Sequence, residues 1–243
     1  MDDIRNNTSE PPKATWALIA LALFLPSAVT WVYFIALADA AAQGAASAIG
    51  KGVQFSLPVV WVFWICRQKP QWRWPEMTDL LLGFASGTAI ALAMAGLYFF
   101  WMRHEPLFIT AIEPIRNKVT GFGIDALWKY LALTVFYALV HSLLEEYYWR
   151  WFVFAQLRKL IPLTPAIVIS SIAFAAHHVL VLGHYFGYMS VLTWLFSLGV
   201  AIGGVIWAWQ FERTGRLWGI WLSHLLVDAA IFLIGLHLIG DLM

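Results

Sequence analysis

The sequence predicts an all-α fold, a polytopic transmembrane helix bundle with a polar intramembrane cavity, and three observations carry that prediction. Of 243 residues, 61% are apolar and 12% charged, against about 25% charged in a soluble domain. The apolar residues fall in long runs, and a helix needs about 20 of them to cross the hydrocarbon core. Inside one run, the segment LLEEYYWR (Leu143–Arg150) sets two adjacent carboxylates and an arginine in an otherwise apolar stretch. Charge in hydrocarbon must be paired, hydrated or neutralised, so such a group marks a functional site by default.

Taken in order, the chain opens with MDDIRNNTSEPPK, polar and acidic. It lacks the basic start, short apolar core and small-residue cleavage site of a signal peptide. Residues 1–14 are therefore expected to be a disordered cytosolic tail, and 15–243 a single membrane domain. Seven spans are predicted at about 15–38, 52–66, 78–101, 126–157, 164–186, 188–210 and 217–239. The second is short and contains Pro58. Residues 39–51, AAAQGAASAIGK with its flank, are small and polar and read as a loop; they would add an eighth span only by entering the membrane. The stretch 102–124 carries Arg103, Glu105, Glu113, Arg116 and Lys118, too many charges to span, and reads as a loop with room for an interfacial helix. The fourth run is long enough to leave the bilayer as an amphipathic tail ending at Arg158 and Lys159, before Pro162 and Pro165 break it. No repeat and no second domain is visible.

Composition also excludes. A net charge of +1 gives no reason to expect a nucleic-acid partner. A single cysteine, Cys66, rules out an intrachain disulfide and a Cys-rich metal cluster. It sits beside Arg67 with no histidine near in sequence, so it is not expected to be a nucleophile. The many Trp, Phe and Tyr residues read as interfacial belts and helix packing. With seven spans, Arg5, Lys13, Arg67, Lys69, Arg73, Arg150, Arg158, Lys159, Arg213 and Arg216 fall on one side, and Lys51, Arg103, Arg116 and Lys118 on the other. The positive-inside rule then puts the N-terminus in the cytoplasm.

The intramembrane acids come with histidines in later spans. Glu145 lies 17 residues before Pro162 and His178 lies 16 after it. At 1.5 Å per residue both stand roughly 25 Å from the turn, so antiparallel helices bring them to one height. Glu146 and Arg150 are i and i+4, acid first, as an ion pair on one helix face prefers. That pairing leaves Glu145 free. His141 and Glu145 share the same spacing, so His141 either lines the same cavity or packs the helix. His224 and Asp228 are again one turn apart, where an acid orients an imidazole. His177 reads as a packing neighbour, and His104, His184 and His237 as interfacial. Asp39, Asp125 and Asp241 lie at segment ends. Asp79 sits at a helix start, where negative charge is favourable.

These groups suit water activation. Glu145 beside His178 can deprotonate a water for attack on an amide carbonyl. His224, with Asp228 as donor if protonated or as orienting group if not, can stabilise the oxyanion.

Three motifs carry a resemblance. Glu145-Glu146-Tyr147-Tyr148-Trp149-Arg150 is EExxxR; Phe174 to His178 is FxxxH; His224 to Asp228 is HxxxD, the acidic variant of HxxxN. In this order and in apolar spans they resemble the CAAX-protease and bacteriocin-processing family, also called the ABI family of intramembrane glutamic proteases. The resemblance covers about residues 130–235, the expected protease-like core. It implies a helical core with a cavity open to the cytoplasm, Glu145 and His178 as the water-activating pair, and His224 with Asp228 at the oxyanion. Glu146 and Arg150 are implied as support, and no metal or other cofactor is implied. The chain departs from the pattern at Trp151, where relatives often have Gly, and at Asp228, where prenyl-protein proteases carry Asn.

The expected activity is therefore an intramembrane endopeptidase acting on a membrane-embedded peptide or protein: a prenylated tail, a leader or a C-terminal sorting helix. The expected location is a bacterial cytoplasmic membrane. Two other classes compete. One is a non-catalytic scaffold or immunity protein of the same family. The other is a metal-dependent hydrolase, since two histidines and a carboxylate can hold Zn or Fe, although HExxH is lacking. A proton-coupled carrier would also bury acids and histidines, but the paired broken helices of inverted repeats are missing.

Overall fold

The computed structural model describes residues 13–37, 39–65, 67 and 73–239. The expected tail lies outside them but for Lys13 and Ala14, which open the first helix, and so do Cys66, Lys69 and Asp241. Every described element is helical: α1 (Lys13–Trp31), α2 (Ala40–Val59), α3 (Met77–Phe100), α4 (Pro106–Gly121), α5 (Leu127–Val135), α6 (Ser142–Glu146), α7 (Ala155–Leu160), α8 (Leu163–Phe186), α9 (Val191–Thr214) and α10 (Trp218–Ile239). Helices α5, α6 and α7 are one continuous rod, joined through π-helical turns at Phe136–His141 and Tyr147–Phe154.

Among the described residues seven helices are long and apolar enough to cross a membrane: Thr15–Ala36, Ala41–Trp64, Met77–His104, Leu127–Leu160, Leu163–Phe186, Val191–Thr214 and Trp218–Ile239. The bundle faces outward with apolar side chains, Phe24 73% and Phe100 89% exposed, while Glu145, Glu146, Arg150 and His224 are buried inside it. A soluble fold has the reverse pattern. The chain is an integral multi-pass membrane protein.

Residues 39–51 are not a loop. Asp39 caps α2, its carboxylate accepting from the Ala42 amide at 2.7 Å, and the helix runs through the small residues into the second span. Alanine is the best helix former, which outweighs the weak hydropathy of the segment. Pro58 does not end it either; the helix passes into a π-helical turn at Val60–Ile65. The second span is thus complete, and no eighth arises from this stretch. The charged stretch 102–124 does hold a helix, α4. Lys118 fastens it, donating to Gln43 at 2.7 Å and lying against the rings of Tyr33, Phe34 and Phe122.

Two glycines set α10 against α3. A Cβ at Gly83 would overlap the Gly219 carbonyl, and one at Gly87 would lie 2.7 Å from the Ser223 Cα. Small residues at a membrane helix crossing let backbones touch. Asp79, beyond its favourable place at the start of α3, accepts the Gly219 amide at 3.0 Å and so caps the first turn of α10. On the other side Gly204 of α9 packs on Ser171 of α8, and Arg158 clamps Glu212 of α9 with Nε and Nη2. These contacts fix α10 on α3 and α8 on α9, and α8 and α10 each turn a histidine toward Glu145 of α6.

The Gly83 contact leads to an expected result. Gly83→Leu should lower the detergent melting temperature, by about 1–3 kcal/mol of overpacking, because α10 must move away. Gly96→Leu on the same helix, where a Cβ meets nothing within 4 Å, should melt with wild type. Equal melting of the two variants would refute the close crossing.

Candidate functional site

The site is built on α6, a five-residue α-helical segment between two π-helical turns. Turns with i→i+5 bonding are rare and recur at functional sites. Glu145 and Glu146 are adjacent here and so point about 100° apart. That divergence gives the two acids separate surroundings.

Glu146, fully buried, is paired off. Its Oε1 accepts Arg150 Nη1 at 3.0 Å and lies 2.6 Å from His224 Nδ1. Its Oε2 has no partner among the described residues. The Arg150 guanidinium is held between rings, its centre 4.6 Å from the Phe174 centroid and 5.0 Å from that of Trp207. Trp207 also stacks on His224, centroids 4.2 Å apart and 17° from parallel, and its indole N–H donates to Ser223 at 2.9 Å. The expected Glu146–Arg150 pair is present, and it is one step of a longer chain, Arg150–Glu146–His224.

Glu145 is surrounded differently. Its carboxylate faces three imidazoles: His141 Nε2 at 3.9 Å, His177 Nε2 at 3.7 Å and His224 Nε2 at 3.8 Å. Each is longer than a hydrogen bond, as catalytic contacts commonly are before substrate binds. His224 thus bridges the two acids, Nδ1 toward Glu146 and Nε2 toward Glu145, and Nε2 also lies 3.6 Å from Asp228. An N–H at Nδ1 given to Glu146 would leave Nε2 facing the other two carboxylates.

Helix α8 supplies a pair of histidines. His177 is the one within 4 Å of Glu145; its ring lies parallel to Trp149, and its Nδ1 has no partner among the described residues. His178 turns aside by one residue. Its Nδ1 meets the Phe174 carbonyl at 3.0 Å, and its ring centroid is 4.1 Å from that of His177. With Nδ1–H spent on that carbonyl, Nε2 of the neutral ring is an acceptor. Phe174 touches Trp149, His177, His178, Trp207 and His224 and is the hub of the site.

The residues singled out in the sequence are therefore neighbours: Glu145, Glu146, Arg150, Phe174, His178, His224 and Asp228, with His141 lining the site. Direct contact joins Glu145 to His224 and not to His178. Sequence reasoning passed over Trp207, for which an isolated aromatic in an aromatic-rich chain gives no signal. It also passed over Lys51, whose ammonium lies over Phe55, itself edge-on to His141. Lys51 falls in a stretch whose small and polar residues read as a loop, and only the continuity of α2 brings it in. Among the described residues, no group of three or more His, Cys, Asp or Glu side chains is placed to hold a metal ion.

Residues 127–230, which hold every member of this cluster except Lys51 and Phe55, match the family model described as type II CAAX prenyl endopeptidase Rce1-like. Comparison with curated proteins and with solved structures gave no match.

Proposed function

We propose that this chain, Rce1-like from residue 127 to residue 230, is a glutamic-type intramembrane endopeptidase acting on a peptide bond of a membrane-anchored substrate. One observation carries the reading: of two adjacent buried carboxylates, Glu146 is bound to Arg150 and His224, and Glu145 is left among three imidazoles. A carboxylate with no cation bonded to it, flanked by groups that can relay protons, is what water activation needs.

In this mechanism Glu145 and His178 Nε2 hold the attacking water, and Glu145 takes its proton. The water oxygen bonds to the amide carbon, and the carbonyl electron pair becomes an oxyanion. His224, as an imidazolium whose Nδ1–H is given to Glu146, donates its Nε2–H to that oxyanion; Asp228 orients the ring. The oxyanion then re-forms the carbonyl, the C–N bond breaks, and the proton held by Glu145 passes to the leaving nitrogen. The products are a carboxylic acid and an amine. His177 holds Glu145 in place, and Arg150 keeps Glu146 ionised.

The two α8 histidines then differ in their variants. His178→Gln should slow cleavage by about 10²-fold, the cost of misplacing the attacking water. His177→Gln should lose much less, since an amide N–H can still reach Glu145. Turnover of the two variants on one substrate decides it, and the reverse order would exchange their roles.

Lys51 and Arg150, counted in the sequence as loop residues, lie inside spans. The other lysines and arginines still support an N-terminus in the cytoplasm, in a bacterial inner membrane. The Leu160–Pro165 turn is then on that side, and the site, through His224 in the second turn of α10, is reached from it. The substrate is found by mass spectrometry of membrane peptides from cells carrying wild-type or Glu145→Gln protein. A leader or C-terminal fragment present only with wild type is the expected result. Identical peptide sets with an unchanged cellular phenotype would favour a scaffold instead, and loss of cleavage on chelation would favour a metal hydrolase.

A further inference from the structure

A cavity of about 490 Å³ lies where α3, α4 and the end of α10 meet. Its lining is Tyr98, Arg103, His104, Phe108, Ile112, His237 and Leu238. Arg103 and His104 end the third span, His237 is in the last turn of the seventh, and α4 follows at once. The cavity therefore sits at one membrane boundary, where lipid headgroups lie. Nothing in the hydrolytic reading uses it.

Its donors are arranged for an anion. Tyr98, 1% exposed, has its hydroxyl 2.6 Å from His237 Nδ1. With that hydroxyl donating, Nε2 of the neutral ring carries the hydrogen and is a donor. Arg103 Nε donates to His104 Nε2 at 2.9 Å, which leaves an N–H at His104 Nδ1. Among the described residues the Arg103 Nη1 and Nη2 groups make no hydrogen bond, and the guanidinium sits 5.9 Å from the Phe99 centroid. No carboxylate is in the lining. Beside this donor set the bundle offers lipid an apolar strip, Phe99, Phe100 and Trp101, 44%, 89% and 39% exposed. Paired donors facing one cavity suit a phosphate, which arginine recognises with its fork of N–H groups. An apolar strip alongside suits acyl chains. Basic pockets between membrane helices bind anionic headgroups on the same principle.

We propose that this cavity is a phosphate-binding site whose occupant is the phosphodiester headgroup of an anionic lipid. Arg103, His104 and His237 hold the phosphate, and Phe99 and Phe100 flank the chains.

Native mass spectrometry of the full chain in detergent tests this, with phosphatidylglycerol, phosphatidylcholine and inorganic phosphate added in separate arms. Wild type should retain phosphatidylglycerol in preference to phosphatidylcholine. Arg103→Gln should reduce that retention about tenfold, the worth of one charge-assisted hydrogen bond, and Arg103→Lys should restore part of it. If inorganic phosphate displaces phosphatidylglycerol and is itself retained, the phosphate site stands and its occupant is the free ion. Equal retention of both lipids by wild type overturns the proposal whether or not the variants fold. So does undiminished phosphatidylglycerol binding in Arg103→Gln.

Discussion

Glu145→Gln is expected to abolish cleavage while leaving the bundle folded. Glutamine matches glutamate in shape and cannot take a proton from water, so turnover should fall by about 10²–10⁴ or more, the range for loss of a general base. The fold should survive because no cation is bonded to Glu145; its imidazole neighbours stand 3.7–3.9 Å away. Removing the charge also removes a desolvation burden, so the melting temperature should hold or rise. The control is Glu146→Gln on the adjacent residue. There the loss falls on Arg150 and His224, both bonded to Glu146, and stability should drop along with activity. Purified protein, one substrate peptide and two melting curves measure all of this. A Glu145→Gln protein that still cleaves would transfer the role of base to another group, with Asp228 the next carboxylate near His224.

How much of this was legible in the sequence depends on which property is asked about. Height along a helix is robust. Counting residues from Pro162 put Glu145 and the α8 histidines at one level, and an error of one residue moves a side chain only 1.5 Å along the axis. Azimuth is fragile, because the same error turns the side chain by about 100°. Direct contact with Glu145 accordingly falls to His177, while His178 meets the Phe174 carbonyl. The π-helical turns on both sides of α6 change the phase of the rod, and no residue pattern in YYWRWFVF announces them. The i, i+4 pairs within a turn or so, Glu146–Arg150 and His224–Asp228, were legible because they need no long extrapolation. The loop reading of residues 39–51 failed for another reason. Hydropathy measures transfer from water, whereas an alanine-rich segment is helical by backbone propensity, and a short helix continued by an apolar run crosses the membrane with it. The capping of α10 by Asp79 was beyond reach, since it joins residues 140 apart in sequence.

Arg150→Leu is expected to be the most destabilising single change in the cluster. Arg150 is 2% exposed and Glu146 0%, so deleting the guanidinium leaves a buried carboxylate with His224 as its remaining partner and a second oxygen that has none among the described residues. Breaking a buried pair in this way costs about 3–5 kcal/mol. The loss has a further part, because the guanidinium fills the space between Phe174 and Trp207, and leucine does not restore a charge over two rings. Removing both partners should be milder than removing one. In Arg150→Leu/Glu146→Gln no ion is left unpaired, so the double variant should melt above Arg150→Leu alone, and the double-mutant cycle should give a coupling of the sign that marks a direct interaction. Activity should not return with stability, because His224 Nδ1 would then meet an amide in place of a carboxylate and lose the group that holds its ring. Two additive losses in the cycle would mean that the arginine acts by packing alone. Recovered cleavage in the double variant would remove Glu146 from the orientation of His224, and with it the reason for placing two adjacent acids on this helix.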